Sequence, residues 1–173
     1  MTGVKLGERF AQIGCAHGGR LAAVAAKVGL SGRAVAIVPD EASAARATTG
    51  AAEAGVLVDV ETSPPTRLPL EDEAFDLAVI DETGGLLRTM RADDRGATVR
   101  EVLRILRPGG RVMVIAGGLR GGIGAWLSRT PEAEPFNAAP ELQTGGFGSV
   151  RTLAEREGLL FMEGIKPRHP ALN

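Results

Sequence analysis

The chain has 173 residues, 44% of them hydrophobic, which is enough to build one core in a single domain spanning residues 1–173. Lys and Arg number 20 against 21 Asp and Glu, and the resulting net charge of −1 argues against nucleic acid or an anionic membrane as the main partner. A single Cys, no apolar leader and no run near the roughly 18 apolar residues of a membrane span are the composition expected of a cytoplasmic protein without disulfides.

Arg9–Ile13 reads as a short apolar strand, and Gly14-Cys-Ala-His-Gly-Gly19 as a glycine-rich turn. Leu21, Val24, Ala25 and Val28 then recur at the spacing of one helix face, with Gly29 as the stop. Such a strand–turn–helix unit presents backbone N–H groups and the positive end of a helix to a small ligand. Ala34–Val38 is almost wholly apolar, the mark of a strand covered on both faces. Asp40 is placed to cap an Ala-rich helix to about Thr49, which Gly50 is expected to end. Val56–Val60 reads as a third strand, and Thr62–Pro69, with three prolines, as loop.

Phe75–Ile80 is the fourth predicted strand. Val99, Val102, Leu103 and Leu106 form a second helical stripe, stopped by Pro108-Gly-Gly110 before a strand at Arg111–Ala116. Strands alternating with helices imply a parallel sheet with right-handed crossovers, a doubly wound α/β domain. A flexible segment is expected over 117–147, where glycines and then prolines cluster. Val150–Arg156 and Leu159–Ile165 flank Glu157-Gly158 and read as a closing antiparallel hairpin.

With these elements in place, the chain resembles the class I S-adenosylmethionine (SAM)-dependent methyltransferases, especially the small-molecule group of ubiquinone and menaquinone biosynthesis. Three segments carry the resemblance: Gly7–Gly18, Arg67-Leu-Pro-Leu-Glu-Asp-Glu-Ala-Phe-Asp-Leu-Ala-Val79, and Glu101-Val-Leu-Arg-Ile-Leu-Arg-Pro-Gly-Gly-Arg-Val112. It implies a Rossmann-like, mostly parallel seven-stranded sheet with an antiparallel C-terminal hairpin. It also implies SAM as cofactor and a small-molecule methyl acceptor. The rival reading is a dinucleotide-binding domain, for which Gly14-x-Ala16-x-x-Gly19 would be the fingerprint.

Carried over position by position, the resemblance implies a cofactor site at Gln12, Gly14, Ala16, Gly18, Val38, Asp40 and Pro64. The family has an acid where this chain has Gln12, a second where it has Val38, and an Asp where it has Pro64. A Gln brings no charge to the ligand's ammonium, a Val offers no acceptor to the ribose hydroxyls, and a Pro has neither an acceptor side chain nor an N–H. Asp40 reads first as a helix cap and second as a substitute ribose ligand. Asp81 and Glu82 follow the fourth strand and are the candidate catalytic bases, with helix capping as the plainer role. No metal site is expected.

Cys15 reads as a packing residue, His17 as an exposed loop imidazole, and Lys166–Arg168 and His169 as a solvated tail. Trp126 and Phe136 would either fold onto the core or anchor a partner. With the first strand this early, no counterpart is expected for the N-terminal lid helices of many relatives. Two functions follow: a methyltransferase-like pseudoenzyme, acting as a subunit or regulator with a protein partner or as a homo-oligomer, or an active methyltransferase with a rearranged site.

Overall fold

The computed structural model describes residues 4–117, 135–156 and 158–168. In chain order the elements are β1 (Arg9–Ile13), α1 (Gly18–Val28), β2 (Arg33–Val38), α2 (Glu41–Ala54), β3 (Asp59–Thr62), β4 (Phe75–Asp81), α3 (Ala92–Ile105), β5 (Leu106–Gly117), α4 (Ala139–Thr144), β6 (Gly148–Arg156) and β7 (Leu159–Ile165). The strands form one sheet in the order β3-β2-β1-β4-β5-β7-β6. β1 to β5 pair in parallel, and β7 lies antiparallel to β5 and β6, so the expected doubly wound sheet closes with the expected hairpin.

Successive side chains point to opposite faces and meet different helices. Ala11, Ile13, Val35, Ile37, Ala78 and Ile80 pack with Val99, Val102 and Ile105 of α3 and Leu142 of α4. Phe10, Ala34, Ala36, Leu77 and Val79 pack with Leu21, Val24 and Val28 of α1 and Ala47 of α2. Burial on both faces is why β2 and β4 have almost no polar residues, and each fully buried Val, Leu, Ile or Phe side chain stabilises by about 1.5–3 kcal/mol.

Several boundaries differ from the sequence reading. α2 does not stop at Gly50 but runs to Ala54, where Gly55 takes a left-handed φ of +64° and its N–H returns to Ala51 and Ala52. β3 starts at Asp59 rather than Val56, because the Val56 N–H is spent closing α2 onto the Ala51 carbonyl at 3.0 Å. β5 starts at Leu106, directly after α3; it pairs with Phe75, then shifts register across Pro108-Gly109-Gly110 before Leu77 meets Arg111. Within 117–147, expected to be irregular, residues 139–144 form α4, held by fully buried Ala138 and Leu142. Lys166 is not solvated: its ammonium donates to the Leu106 carbonyl at 2.7 Å and to Glu73 at 3.1 Å. Trp126, His169 and residues 118–134 lie outside the described residues.

Candidate functional site

β2 and β3 lie to one side of β1, while β4 and β5 lie to the other. Open α/β sheets hold ligands at this reversal, outside the carboxyl ends of the strands. A cavity of about 250 Å³ opens there. Its walls are the turn Gly14, Cys15 and Ala16, the start of α2 with Pro39, Asp40, Ser43 and Arg46, and Asp81, Gly84, Gly85, Leu86 and Thr89 after β4.

Gly14 adopts φ +80°, the left-handed region that favours glycine, and a Cβ there would also crowd the Leu86 side chain at 3.0 Å and the Asp81 carbonyl at 3.3 Å. The N–H of Ala16 donates to Asp81 Oδ2 at 2.9 Å. The other Asp81 oxygen accepts from the Thr83 N–H and hydroxyl at 3.2 and 2.5 Å, with the Arg20 guanidinium 3.9 Å away. Asp81 is 3% exposed and ties the turn after β1 to the end of β4. Glu82 is 1% exposed and faces elsewhere, accepting the Leu87 N–H and, at 3.1 Å, the Arg88 N–H. Burial pushes the Glu82 carboxyl above the ordinary glutamate range, against the pull of those two N–H groups. These adjacent acids therefore hold two different turns.

Asp40 is the N-cap of α2, its Oδ1 accepting the Ser43 N–H at 2.7 Å. That bond is the main reason its carboxyl sits below the usual aspartate range. Arg46 lies two turns into α2 and reaches back over the glycine turn. Its Nε donates to the Cys15 carbonyl at 3.1 Å and its Nη2 to Ser43 Oγ at 2.7 Å. Sequence reasoning missed Arg46, although Asp40, Ser43 and Arg46 recur at a spacing of three, one helix face. Thr83, Leu86 and Thr89 were missed too, having no motif of their own.

Gly14, Ala16, Asp40 and Asp81 thus meet in one cleft, and the other expected residues do not line it. Gln12 is buried and its amide donates to the Gly14 carbonyl at 3.0 Å. Val38 is fully buried beside α1 and α2. Pro64 is exposed in a separate hollow beside Arg67 and Arg104. Gly18 sits where α1 crosses α2 and borders a second hollow of about 370 Å³ with His17, Gly19 and Arg46. His17 is exposed and makes no side-chain cap bond to α1. The Cys15 thiol is buried and pushed up, first by that burial and then by Asp81. Phe136 packs on the α3 side of the core under Arg95, 5.9 Å from its ring centre.

No curated protein matches the chain in sequence. Among solved structures, an Aquifex aeolicus SAM-dependent methyltransferase aligns with TM-score 0.74 and 19% identity, over 95% of this chain and 85% of that one. The [4+2]-cyclase SpnF aligns with TM-score 0.68 and 20% identity, over 96% and 77%. A Haloferax volcanii complex between the Trm112 methyltransferase activator and a methyltransferase aligns with TM-score 0.67 and 16% identity, over 96% and 85%. At these identities the likeness is one of fold. The family model described as "Methyltransferase domain" matches residues 11–114, more than half of the chain, and the chain belongs to that family.

Proposed function

We propose that the chain keeps the methyltransferase fold around an eroded cofactor cleft and works in the cytoplasm as a non-catalytic or weakly active subunit or regulator. Its motifs follow the ubiquinone- and menaquinone-type small-molecule group. The observation that carries this reading is Arg46, a cation set over the glycine turn where the family holds a positively charged ligand. SAM carries a sulfonium and an ammonium against one carboxylate, and its net positive charge is repelled by a guanidinium at the wall of a small cavity. Three acids of the family pattern are absent: Gln12 donates its amide inward, the Val38 side chain has no polar atom, and Pro64 lies outside the cleft. The two carboxylates that do line it are already engaged, Asp40 by the Ser43 N–H and Asp81 by Ala16 and Thr83. Each ligand polar group left unpaired costs on the order of 1–3 kcal/mol. The residues present do not fit SAM. Proteins of this fold include one described as a [4+2]-cyclase and one in complex with an activator, so the fold accommodates other work and a protein partner.

A second reading rests on Asp40, whose carboxylate does line the cleft. In that reading Asp40 holds the ribose, Asp81 serves as base, and a small molecule accepts the methyl group; Glu82, turned to the Leu87 and Arg88 N–H groups, drops out as a base. Thermal unfolding with and without S-adenosylhomocysteine separates the two. A hundredfold excess over the dissociation constant stabilises a binder by about 2.7 kcal/mol. The eroded site is expected to give no shift, and a clear upward shift would return the second reading.

A further inference from the structure

We propose that the outer edge of β3, with the groove beside it, is a docking site for an extended segment of a partner protein in which apolar and basic residues alternate. The groove shares no lining residue with the cleft at the sheet's reversal, and the proposal does not depend on whether that cleft binds SAM.

β3 ends the sheet on its side and pairs only with β2. Its outward N–H and C=O groups therefore have no strand partner among the described residues, the condition for adding a strand from another chain. Val58-Asp-Val-Glu61 alternates sharply. Val58 and Val60 pack toward the α1–α2 core, whereas Asp59 and Glu61 are exposed. They stand beside Val35 and Ile37, whose side chains belong to the opposite face. A strand laid along this edge extends both rows, with apolar residues beside the valines and cations beside the acids. Arg33 meets Asp59 at 3.2 Å, and Glu61 has no cation partner among the described residues.

At the Asp59 end the edge runs into a groove of about 370 Å³ between the end of α1 and the α2–β3 turn. Leu30 and Leu57 rim it with 89% and 78% of their surface exposed. Leu6, 77% exposed, packs on Gly29 at the groove's margin. Of the four large apolar side chains exposed among the described residues, three gather here, which is how a surface awaiting a partner differs from scattered exposure. The groove suits one large apolar anchor following the alternating stretch. A second copy of the chain does not fit, because antiparallel pairing of two β3 edges sets acids against acids. The acidic edge refuses its own kind and selects a basic strand.

The test uses a fluorescein-labelled peptide of alternating valine and lysine ending in tryptophan, with a control peptide carrying glutamate for lysine. Binding is read by anisotropy, and the site by amide hydrogen exchange. Expected are micromolar binding of the lysine peptide, slowed exchange at residues 59–62, and at least tenfold weaker binding with Leu57→Lys or Glu61→Lys. Both positions are exposed, so both variants are expected to fold, which circular dichroism checks. No binding, equal binding of the glutamate peptide, or indifference to the two substitutions would overturn the proposal. So would sedimentation of the free protein as a dimer with the β3 amides already protected, which would give the edge to a second copy.

Discussion

Gly18 and Gly50 touch at the crossing of α1 and α2, backbone against backbone. A Cβ on Gly18 would stand 2.2 Å from the Arg46 carbonyl oxygen and 2.9 Å from Gly50 Cα; one on Gly50 would stand 2.4 Å from the Gly18 carbonyl carbon. No side-chain movement relieves a backbone clash. Gly18→Ala and Gly50→Ala are each expected to lower stability by at least the roughly 1–3 kcal/mol typical of overpacking. Urea denaturation checks this. Unchanged midpoints would mean that the helices separate freely.

Glu101 is expected to set much of the acid sensitivity of the fold. Its carboxylate accepts the Leu68 N–H at 2.8 Å and pairs with Arg104 at 2.8 Å, while Arg104 also donates to the Leu68 and Leu70 carbonyls. The Arg104 hydrogen bonds hold Glu101 below the ordinary glutamate range. A lowered folded-state pKa favours the folded chain above the unfolded value, and that contribution is lost as pH falls through the folded one. Glu101→Gln should cost about 1.5–3 kcal/mol at neutral pH. It should also flatten the acid limb of stability measured against pH.

For Glu82 the sign is opposite. Burial raises its pKa, so the folded chain holds this proton more tightly than the unfolded one. Its contribution falls as pH rises from the unfolded value through the folded one. Glu82→Gln should remove that dependence. It should also cost about 1–3 kcal/mol, because the amide places an NH₂ group against the Leu87 or Arg88 N–H.

Asp40→Ala is expected to loosen the first turn of α2, with Asp40→Asn close to wild type because an asparagine oxygen can take the Ser43 N–H. Amide exchange at the start of α2 reads the effect. If Asp40 instead held a ribose, Asp40→Ala would weaken S-adenosylhomocysteine binding beyond what the loss of stability explains.

What the sequence revealed followed from local pattern. The apolar runs of β2 and β4, the stripe of α1, the Asp40 cap and the Glu157-Gly158 turn signal each depend on a few neighbouring residues. What it concealed depends on distant ones. Gly50 reads as a stop because periodicity along α2 says nothing of α1 pressing against it. Nothing in the Ala-rich stretch around Arg46 marks it, yet it reaches the Cys15 carbonyl, 31 residues back in the chain. Motif register placed Gln12 and Val38 in the cofactor site, but burial turned both away from the cleft. Asp81 and Glu82 look equivalent in sequence, and only the turns folded around them assign each a separate task.

Calorimetric titration of the folded protein with S-adenosylhomocysteine tests the proposal of an eroded cleft most directly. With Arg46 over the glycine turn and Gln12, Val38 and Pro64 at the three positions where the resemblance implies acids, no heat of binding is expected up to millimolar ligand, which means a binding free energy weaker than about −4 kcal/mol. A micromolar dissociation constant would contradict the eroded-site account and make methyl transfer the function to pursue.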